Sequence, residues 1–268
     1  MINGADTPKP ILVLDFDGTL CIGDAPVWAY ANAIVETIGH QSGAAHHQLH
    51  DDIRRQLEAF LDGEPNSQTF SDGYDAVAQL TAPYATPQQL QAAYATSRRE
   101  LARGALDVHA PAGLKGLLSE LHPTTTIVLI TNAPQPGIAE TVETLGLAAE
   151  IDRVITDADK PSGWESIIPE LLVTGPAGNR QAETVMVVGD IWSNDIAVPL
   201  RLGCATAYID RFGQRAGVAN LVASDFPSLY DGIREWAGNP LVFSAAHPPH
   251  LGSPAPTHES PTHRTGTQ

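Results

Sequence analysis

Carboxylates follow two short apolar runs of the chain, at the point where each run ends. Asp15 and Asp17 come directly after the run 11–14, and Asp190 lies two residues beyond the run 185–188. A continuous apolar run of this length is typical of a strand that is buried on both faces of a parallel sheet. Because open α/β sheets bind ligands at the carboxyl ends of their strands, we expect the three acids to meet there. Neighbouring carboxylates repel each other and favour a hard cation, so Asp15 and Asp190 are candidate Mg²⁺ ligands.

Two other segments offer groups that bind an anion. Thr131 and Asn132 follow the apolar run 126–130, where a hydroxyl and a backbone amide can donate hydrogen bonds to a phosphoryl oxygen. Lys160 is one of only three lysines and lies in a loop after a predicted strand, which makes it a natural partner for an anion. Each of these features, like the acids at 15–19, also has an alternative without a catalytic role. The segment 15–19 can be an acidic turn, Thr131 can belong to a helix cap or turn, and Lys160 can be a solvated surface lysine.

Taken in order, these segments resemble the haloacid dehalogenase (HAD) superfamily of hydrolases. Its pattern is D-x-D-G-T, then a Ser or Thr after the second strand, a distant Lys, and G-D followed by an acid. The resemblance covers roughly residues 10–237, and the set of four motifs is highly specific. The matching positions are 15–19, Thr131, Lys160, 189–190 and Asp195.

The resemblance implies a role for each of the motif residues. Asp15 is expected to be the nucleophile that becomes an aspartyl phosphate. Asp17 is expected to protonate the leaving alkoxide and then to activate water, and its backbone carbonyl joins Asp15 and Asp190 around Mg²⁺. Thr131 and Lys160 are expected to hold the transferring phosphoryl oxygens. These roles agree with the general requirements of phosphoryl transfer, which are the positioning of the reacting groups and the neutralisation of charge.

Three neighbouring polar residues complete the predicted site. Asn132 is assigned to substrate binding together with Thr131 and Lys160. Asp195 and Asn194 are expected to act behind the residues that touch the substrate, with Asp195 orienting Lys160 or a metal-bound water. Direct ligation of the metal by Asp195 is the less favoured alternative.

The residue at position 17 separates the activities found in the family. Dehalogenases attack carbon and need no acid there, so Asp17 favours a phosphorus substrate. Residues 24–108 contain no lysine, which argues against the Schiff-base chemistry of the family's phosphonoacetaldehyde hydrolases. We therefore predict a Mg²⁺-dependent phosphatase that acts on a small phosphate ester. A sugar phosphomutase is the alternative, and a non-catalytic partner subunit with the same fold is less favoured.

Side chains outside the motifs give weaker indications about the substrate. The aromatic pair Trp28 and Tyr30 is interpreted as helix packing rather than as a pocket lining. The arginine pairs 54–55 and 98–99 are interpreted as solvated helix faces rather than as an anion site. Cys21 is interpreted as a packing residue, because nothing beside it argues for a lowered pKa.

The elements that must position these residues follow from the pattern of the whole chain. Apolar runs at 11–14, 126–130, 154–155, 185–188 and 205–209 alternate with helical patterns. This alternation predicts an α/β fold, with a doubly wound, Rossmann-like parallel sheet. Residues 24–108 lack a convincing strand, and Thr86 with Gln89 predicts a capping box there. We predict a core domain at 1–20 and 110–238, a helical cap domain at 21–109 after the first strand, and a disordered tail at 239–268.

Composition excludes several classes of protein. The 268 residues carry a formal net charge of −16, which disfavours nucleic-acid binding. Two cysteines cannot form a disulfide framework, and the sequence shows neither a signal-peptide pattern nor an apolar stretch of membrane-spanning length. We therefore expect a cytoplasmic protein that binds neither nucleic acid nor membrane. The oligomeric state stays open.

Overall fold

A parallel sheet of six strands lies at the centre of the molecule. The computed structural model describes residues 8–42, 46–64, 69–173 and 180–252. The sheet order is β3-β2-β1-β4-β5-β6, and all pairings are parallel. This order confirms the predicted doubly wound fold. The strands are β1 (Ile11–Leu14), β2 (Thr126–Ile130), β3 (Arg153–Ile155), β4 (Val185–Gly189), β5 (Ala205–Ile209) and β6 (Leu221–Ala223).

The register brings the ends of the three central strands to one level. Leu14 is opposite Leu129 of β2 and Val188 of β4. The chain moves from β1 to β2 and β3 on one side, and to β4, β5 and β6 on the other. Such a reversal of strand order opens a crevice at the carboxyl ends of the strands. The residues that follow β1, β2 and β4 therefore share this crevice.

Helices cover both faces of the sheet because β1 presents apolar side chains alternately to each face. Leu12 and Leu14 pack in one cluster with helices α5, α6, α9 and α10, whereas Ile11 and Val13 pack in another with α7 and α8. The bounds of these helices are α5 (Leu114–Leu121), α6 (Ile138–Thr144), α7 (Trp164–Leu172), α8 (Ala197–Arg201), α9 (Tyr230–Gly238) and α10 (Pro240–Ala246). None of the helices in the described ranges is long and apolar enough to cross a membrane.

Four of the described helices between β1 and β2 form an apolar cluster of their own. They are α1 (Ala25–Ser42), α2 (His46–Leu61), α3 (Gly73–Thr81) and α4 (Pro87–Ala102). The capping box predicted at Thr86 and Gln89 is present at the start of α4. Ile34, Leu57 and Val77 are buried in the shared cluster. This segment is the predicted helical insertion, and the chain enters and leaves it through paired backbone at Ile22 and His109. The exact domain boundaries stay predictions.

The disordered tail predicted from residue 239 is wrong for residues 239–252. Asn239 caps α10 by accepting a hydrogen bond from the Val242 amide, and Phe243 is completely buried. Farther along, His250 pairs with Ala219 through two backbone hydrogen bonds. The composition of this segment is rich in Pro and His, and it gives no sign of the one buried aromatic side chain or of the helix cap. Residues 253–268 lie outside the described residues.

Two smaller features, an edge strand and a proline inside a helix, are not part of the sequence expectations. The pattern did not predict β6, because this edge strand has three residues, all half-buried. Pro169 lies inside α7, beyond the first turn. The helix continues past it because Trp164, Ile168 and Leu171 are buried against the sheet.

Candidate active site

The predicted motif residues meet at the carboxyl edge of the sheet. Asp15, Thr131 and Asp190 are the residues that immediately follow β1, β2 and β4. A cavity of about 230 Å³ opens at this edge, between the sheet and the helical insertion. Its lining from the core side includes Asp15, Asp17, Thr131, Asn132, Lys160, Asn194 and Asp195.

Lys160 joins two of the acids in the buried part of the site. Its Nζ donates to Asp15 Oδ1 at 2.5 Å, to Asp195 Oδ1 at 2.6 Å and to the carbonyl of Ile130 at 3.1 Å. Burial lowers the pKa of the ammonium group, but the charges of Asp15 and Asp195 outweigh this effect, and the pKa lies above its ordinary value. Lys160 is therefore a fixed positive charge beside Asp15, and the solvated alternative is wrong.

Asn132 holds the backbone of Lys160 with both ends of its amide. Asn132 Nδ2 donates to the Lys160 carbonyl at 2.8 Å, and the Lys160 amide donates to Asn132 Oδ1 at 2.6 Å. The side chain is thus engaged with the protein, although the residue lines the cavity. Thr131 Oγ1 accepts a hydrogen bond from the Ala133 amide at 3.0 Å, which leaves its hydroxyl proton available for an anion.

Asp195 is buried behind Lys160 and lies in a short π-helix, Trp192–Ile196. Its Oδ2 accepts a hydrogen bond from the Ile191 amide at 3.1 Å. A Cβ atom at Gly189 would lie 2.3 Å from the Asp195 Cβ, so the motif glycine is required for this approach. Asn194 lines the cavity, and its carbonyl accepts a hydrogen bond from Trp164 Nε1 at 2.6 Å. The contact with Lys160 agrees with the orienting role predicted for Asp195.

The acidic cluster has the composition of a divalent-cation site. Ligand atoms of Asp15, Asp190 and Asp195 lie within 4.8 Å of one another. Asp190 Oδ1 is buried without a hydrogen-bond partner in the described residues, and a Cβ at Gly18 would lie 2.0 Å from Asp190 Oδ2. A buried carboxylate oxygen without a hydrogen-bond partner is well suited to bind a hard cation, because such cations prefer oxygen ligands.

Electrostatics of the cluster point in the same direction. Burial raises the pKa of Asp15 to about 7, because Lys160 offsets only part of the desolvation. Burial, together with the charges of Asp15 and Asp195, raises the pKa of Asp190 well above its ordinary value. Additional positive charge would therefore stabilise both groups as carboxylates.

Asp17 contacts an arginine that the sequence interpretation placed on a solvated face. Arg98 of α4 donates from Nη1 to both carboxylate oxygens of Asp17, at 2.8 and 3.0 Å, and its side chain is only 3% exposed. The solvated interpretation is therefore wrong for Arg98, whereas Arg99 is exposed, as expected. Tyr74 from α3 also donates to Asp17 Oδ1, at 3.5 Å.

The insertion contributes further residues that sequence reasoning missed. Asp72, Tyr74 and Tyr94 line the cavity opposite the motif residues. Tyr30 packs against both of these tyrosine rings, at centroid distances of 6.2 and 5.9 Å, which supports its interpretation as a packing residue. Cys21 is also buried, and burial raises its pKa to about 12, in agreement with packing. The spacing of these aromatic residues on α1, α3 and α4 gives no sign that they meet.

Comparisons with known proteins agree with this architecture. No family model and no curated protein matches the sequence. Among solved structures, the HAD-hydrolase YfnB of Bacillus subtilis, bound to magnesium, matches with a TM-score of 0.54 and 16% identity, over 84% of this chain and 98% of its own. A protein named as a predicted phosphoglycolate phosphatase, from Haemophilus somnus 129PT, matches with a TM-score of 0.53 and 13% identity, over 86% of this chain and 99% of its own.

A protein named as a putative β-phosphoglucomutase, from Thermotoga maritima, matches with a TM-score of 0.53 and 14% identity, over 84% of this chain and 98% of its own. Haloacid dehalogenases are also found among the matches, for example RSc1362 with a TM-score of 0.50 and 17% identity. At these identities the likeness concerns the fold, which phosphatases, mutases and dehalogenases share. The chain therefore has the fold of the haloacid dehalogenase superfamily, as the order of its sequence motifs predicts.

Proposed function

We propose that this protein is a phosphatase that hydrolyses a small phosphate monoester through a phosphorylated Asp15. The observation that carries the proposal is the pair of acids on one loop, with Asp15 bound to Lys160 and Asp17 facing the same cavity. A carbon–halogen bond needs no proton donor at its leaving group. An ester oxygen does, and Asp17 is the acid placed to supply one.

In the first step, a carboxylate oxygen of Asp15 attacks phosphorus. A bond forms between Asp15 and the phosphoryl group, the bond to the ester oxygen breaks, and Asp17 donates its proton to the departing alkoxide. Lys160 and the Thr131 hydroxyl bind the phosphoryl oxygens during the transfer. Asn132 and Asp195 keep Lys160 in place for this task.

In the second step, water attacks the phosphorus of the acyl phosphate. Asp17 accepts the water proton, the bond between phosphorus and Asp15 breaks, and inorganic phosphate and the free carboxylate result. The same carboxyl group therefore acts as acid and then as base, which returns the protein to its starting state.

A magnesium ion fits the acidic cluster and belongs to the proposal. Asp15, Asp190 and the backbone carbonyl of Asp17 would hold it, since Asp190 has an unpartnered buried oxygen. The ion supplies positive charge that allows a carboxylate to approach a phosphate dianion in a protein of net charge −16.

Release of inorganic phosphate from a panel of phosphate esters tests the proposal, with Mg²⁺ present and with excess chelator. We expect turnover that depends on Mg²⁺. Slow hydrolysis combined with isomerisation of hexose 1-phosphates would favour a phosphomutase. Absence of both turnover and phosphoenzyme would favour a non-catalytic partner subunit.

A further inference from the structure

The contact between Arg98 and Asp17 joins the helical insertion to the proposed acid. Arg98 also lies over the ring of Phe16, the residue between the two motif acids, with its guanidinium carbon 5.5 Å from the ring centroid. The preceding residue, Ser97, anchors α4 by donating to the Pro26 carbonyl at 2.6 Å. Arg98 is therefore held behind Asp17 on the insertion side and is not a mobile surface side chain.

This contact competes with the work assigned to Asp17. Both carboxylate oxygens accept hydrogen bonds from Arg98 Nη1. Asp17 has to turn at least one of these oxygens toward the leaving group and then toward water. The observed arrangement is therefore a resting one, and the ion pair has to loosen before the first step.

When the ion pair between Arg98 and Asp17 loosens, Arg98 needs another anion as its counter-charge. Its Nε and Nη2 atoms are already buried without a hydrogen-bond partner among the described residues. Within the residues that the structure describes, Asp17 is the one acidic side chain that forms an ion pair with Arg98. A buried guanidinium without a counter-charge is costly, so the replacement has to arrive with the ligand.

We propose that Arg98 binds a second anionic group of the substrate, a carboxylate or a further phosphate, and thereby releases Asp17 for catalysis. The inference rests on the proposed phosphatase function and narrows its substrates to phosphate monoesters that carry a second negative charge. Lys160 and Thr131 serve the transferred phosphoryl group, and Arg98 serves the other end. Charge-assisted hydrogen bonds to a guanidinium discriminate well against a neutral isostere.

Matched pairs of esters test this assignment. The pairs are phosphoglycolate and its carboxamide, 3-phosphopropanoate and its carboxamide, and ethylene glycol bisphosphate beside ethyl phosphate. We expect wild-type kcat/KM to favour the charged member of at least one pair by about tenfold or more. The pair that shows the preference identifies carboxylate or phosphate as the second group.

Arg98→Met should bring that ratio close to one, and Arg98→Lys should keep part of it. Arg99→Met is the control, because it removes the same charge from the adjacent, exposed position, and it should keep the wild-type ratio. A wild-type ratio near one in every pair overturns the inference, as does a preference that survives Arg98→Met or disappears in Arg99→Met. If wild type hydrolyses these esters but shows no preference, only the role of Arg98 fails. If it hydrolyses no ester at all, including p-nitrophenyl phosphate, the proposed function fails and this inference with it.

Discussion

The two walls of the cavity differ in how their charged groups are held. On the core wall, Lys160 and Asp195 form a closed set of contacts with Asp15 and the strand ends. On the insertion side, Arg98 lies behind Asp17 rather than in the cavity lining, and it has one ionic partner and two buried nitrogens without partners in the described residues. The charged groups of Lys160 and Asp195 are paired before a ligand arrives, whereas Arg98 keeps nitrogens without partners in the described residues. We infer that chemistry is fixed by the core and substrate choice by the insertion.

Replacing the proposed nucleophile should have the largest effect. Asp15→Asn is expected to lower turnover by more than about a hundredfold, because an amide cannot form the acyl phosphate. Substrate binding should persist, since the change removes repulsion with the phosphate dianion. Initial rates and a binding isotherm check both parts. A variant that keeps a tenth of the wild-type rate would show that the core wall does not contain the nucleophile.

Loss of the buried aromatic side chain of α10 should destabilise the core without altering either wall. Phe243→Ala is expected to cost about 3–5 kcal/mol of unfolding free energy, since Phe243 is completely buried. Leu241→Ala on the same helix is the control, because Leu241 is 45% exposed. Denaturant unfolding measures both. Equal stability of Phe243→Ala and wild type would contradict the packing of α10.

Weakening the support of Lys160 should have a moderate effect. Asn132→Ala removes two hydrogen bonds to the Lys160 backbone, and we expect kcat/KM to fall roughly tenfold. Asn132→Asp keeps the acceptor for the Lys160 amide and should show an intermediate loss. If the kcat/KM of Asn132→Ala equalled that of wild type, Lys160 would not need the two hydrogen bonds from Asn132.

Removing one acid of the cluster should change stability slightly and in a pH-dependent way. The raised pKa of Asp190 means that metal-free wild type loses stability as pH rises above about 4. Asp190→Asn should therefore melt a few degrees higher at pH 8, with a smaller difference at pH 4, where Asp190 is protonated in the folded protein and about half protonated in the unfolded chain. Mg²⁺ should raise the melting temperature of wild type more than that of the variant. If metal-free Asp190→Asn melted at a lower temperature than metal-free wild type at pH 8, charge repulsion at Asp190 would not destabilise the folded protein.

The two walls also differ in how well the sequence predicts them. Asp15 and Thr131 directly follow apolar runs, and Asp190 follows one after a single glycine, so local patterns locate all three, and parallel pairing brings them together. The position of Arg98 depends on the packing of α4 against the start of α6, where Ala102 and Gly137 are in close contact. No periodicity in the sequence reports such a contact, and Arg98 therefore resembles an ordinary surface arginine.

The same limit explains the errors at the end of the chain. Average composition predicts disorder between 239 and 268, whereas α10 depends on Phe243 and on the cap at Asn239. One buried side chain can order a short segment that is otherwise polar. The strand β6 was missed for a related reason, since three half-buried residues produce no apolar run.

The most direct test of the account uses Asp17→Asn with p-nitrophenyl phosphate and Mg²⁺, followed by rapid quenching and mass spectrometry. This leaving group hardly needs a proton, so Asp15 should still be phosphorylated, and the second step should stall without its base. The account predicts that a mass gain of about 80 Da accumulates on the peptide containing Asp15, while the wild-type adduct decays within seconds in plain buffer. No adduct on Asp15, or a wild-type adduct that persists until a sugar phosphate is added, would contradict it.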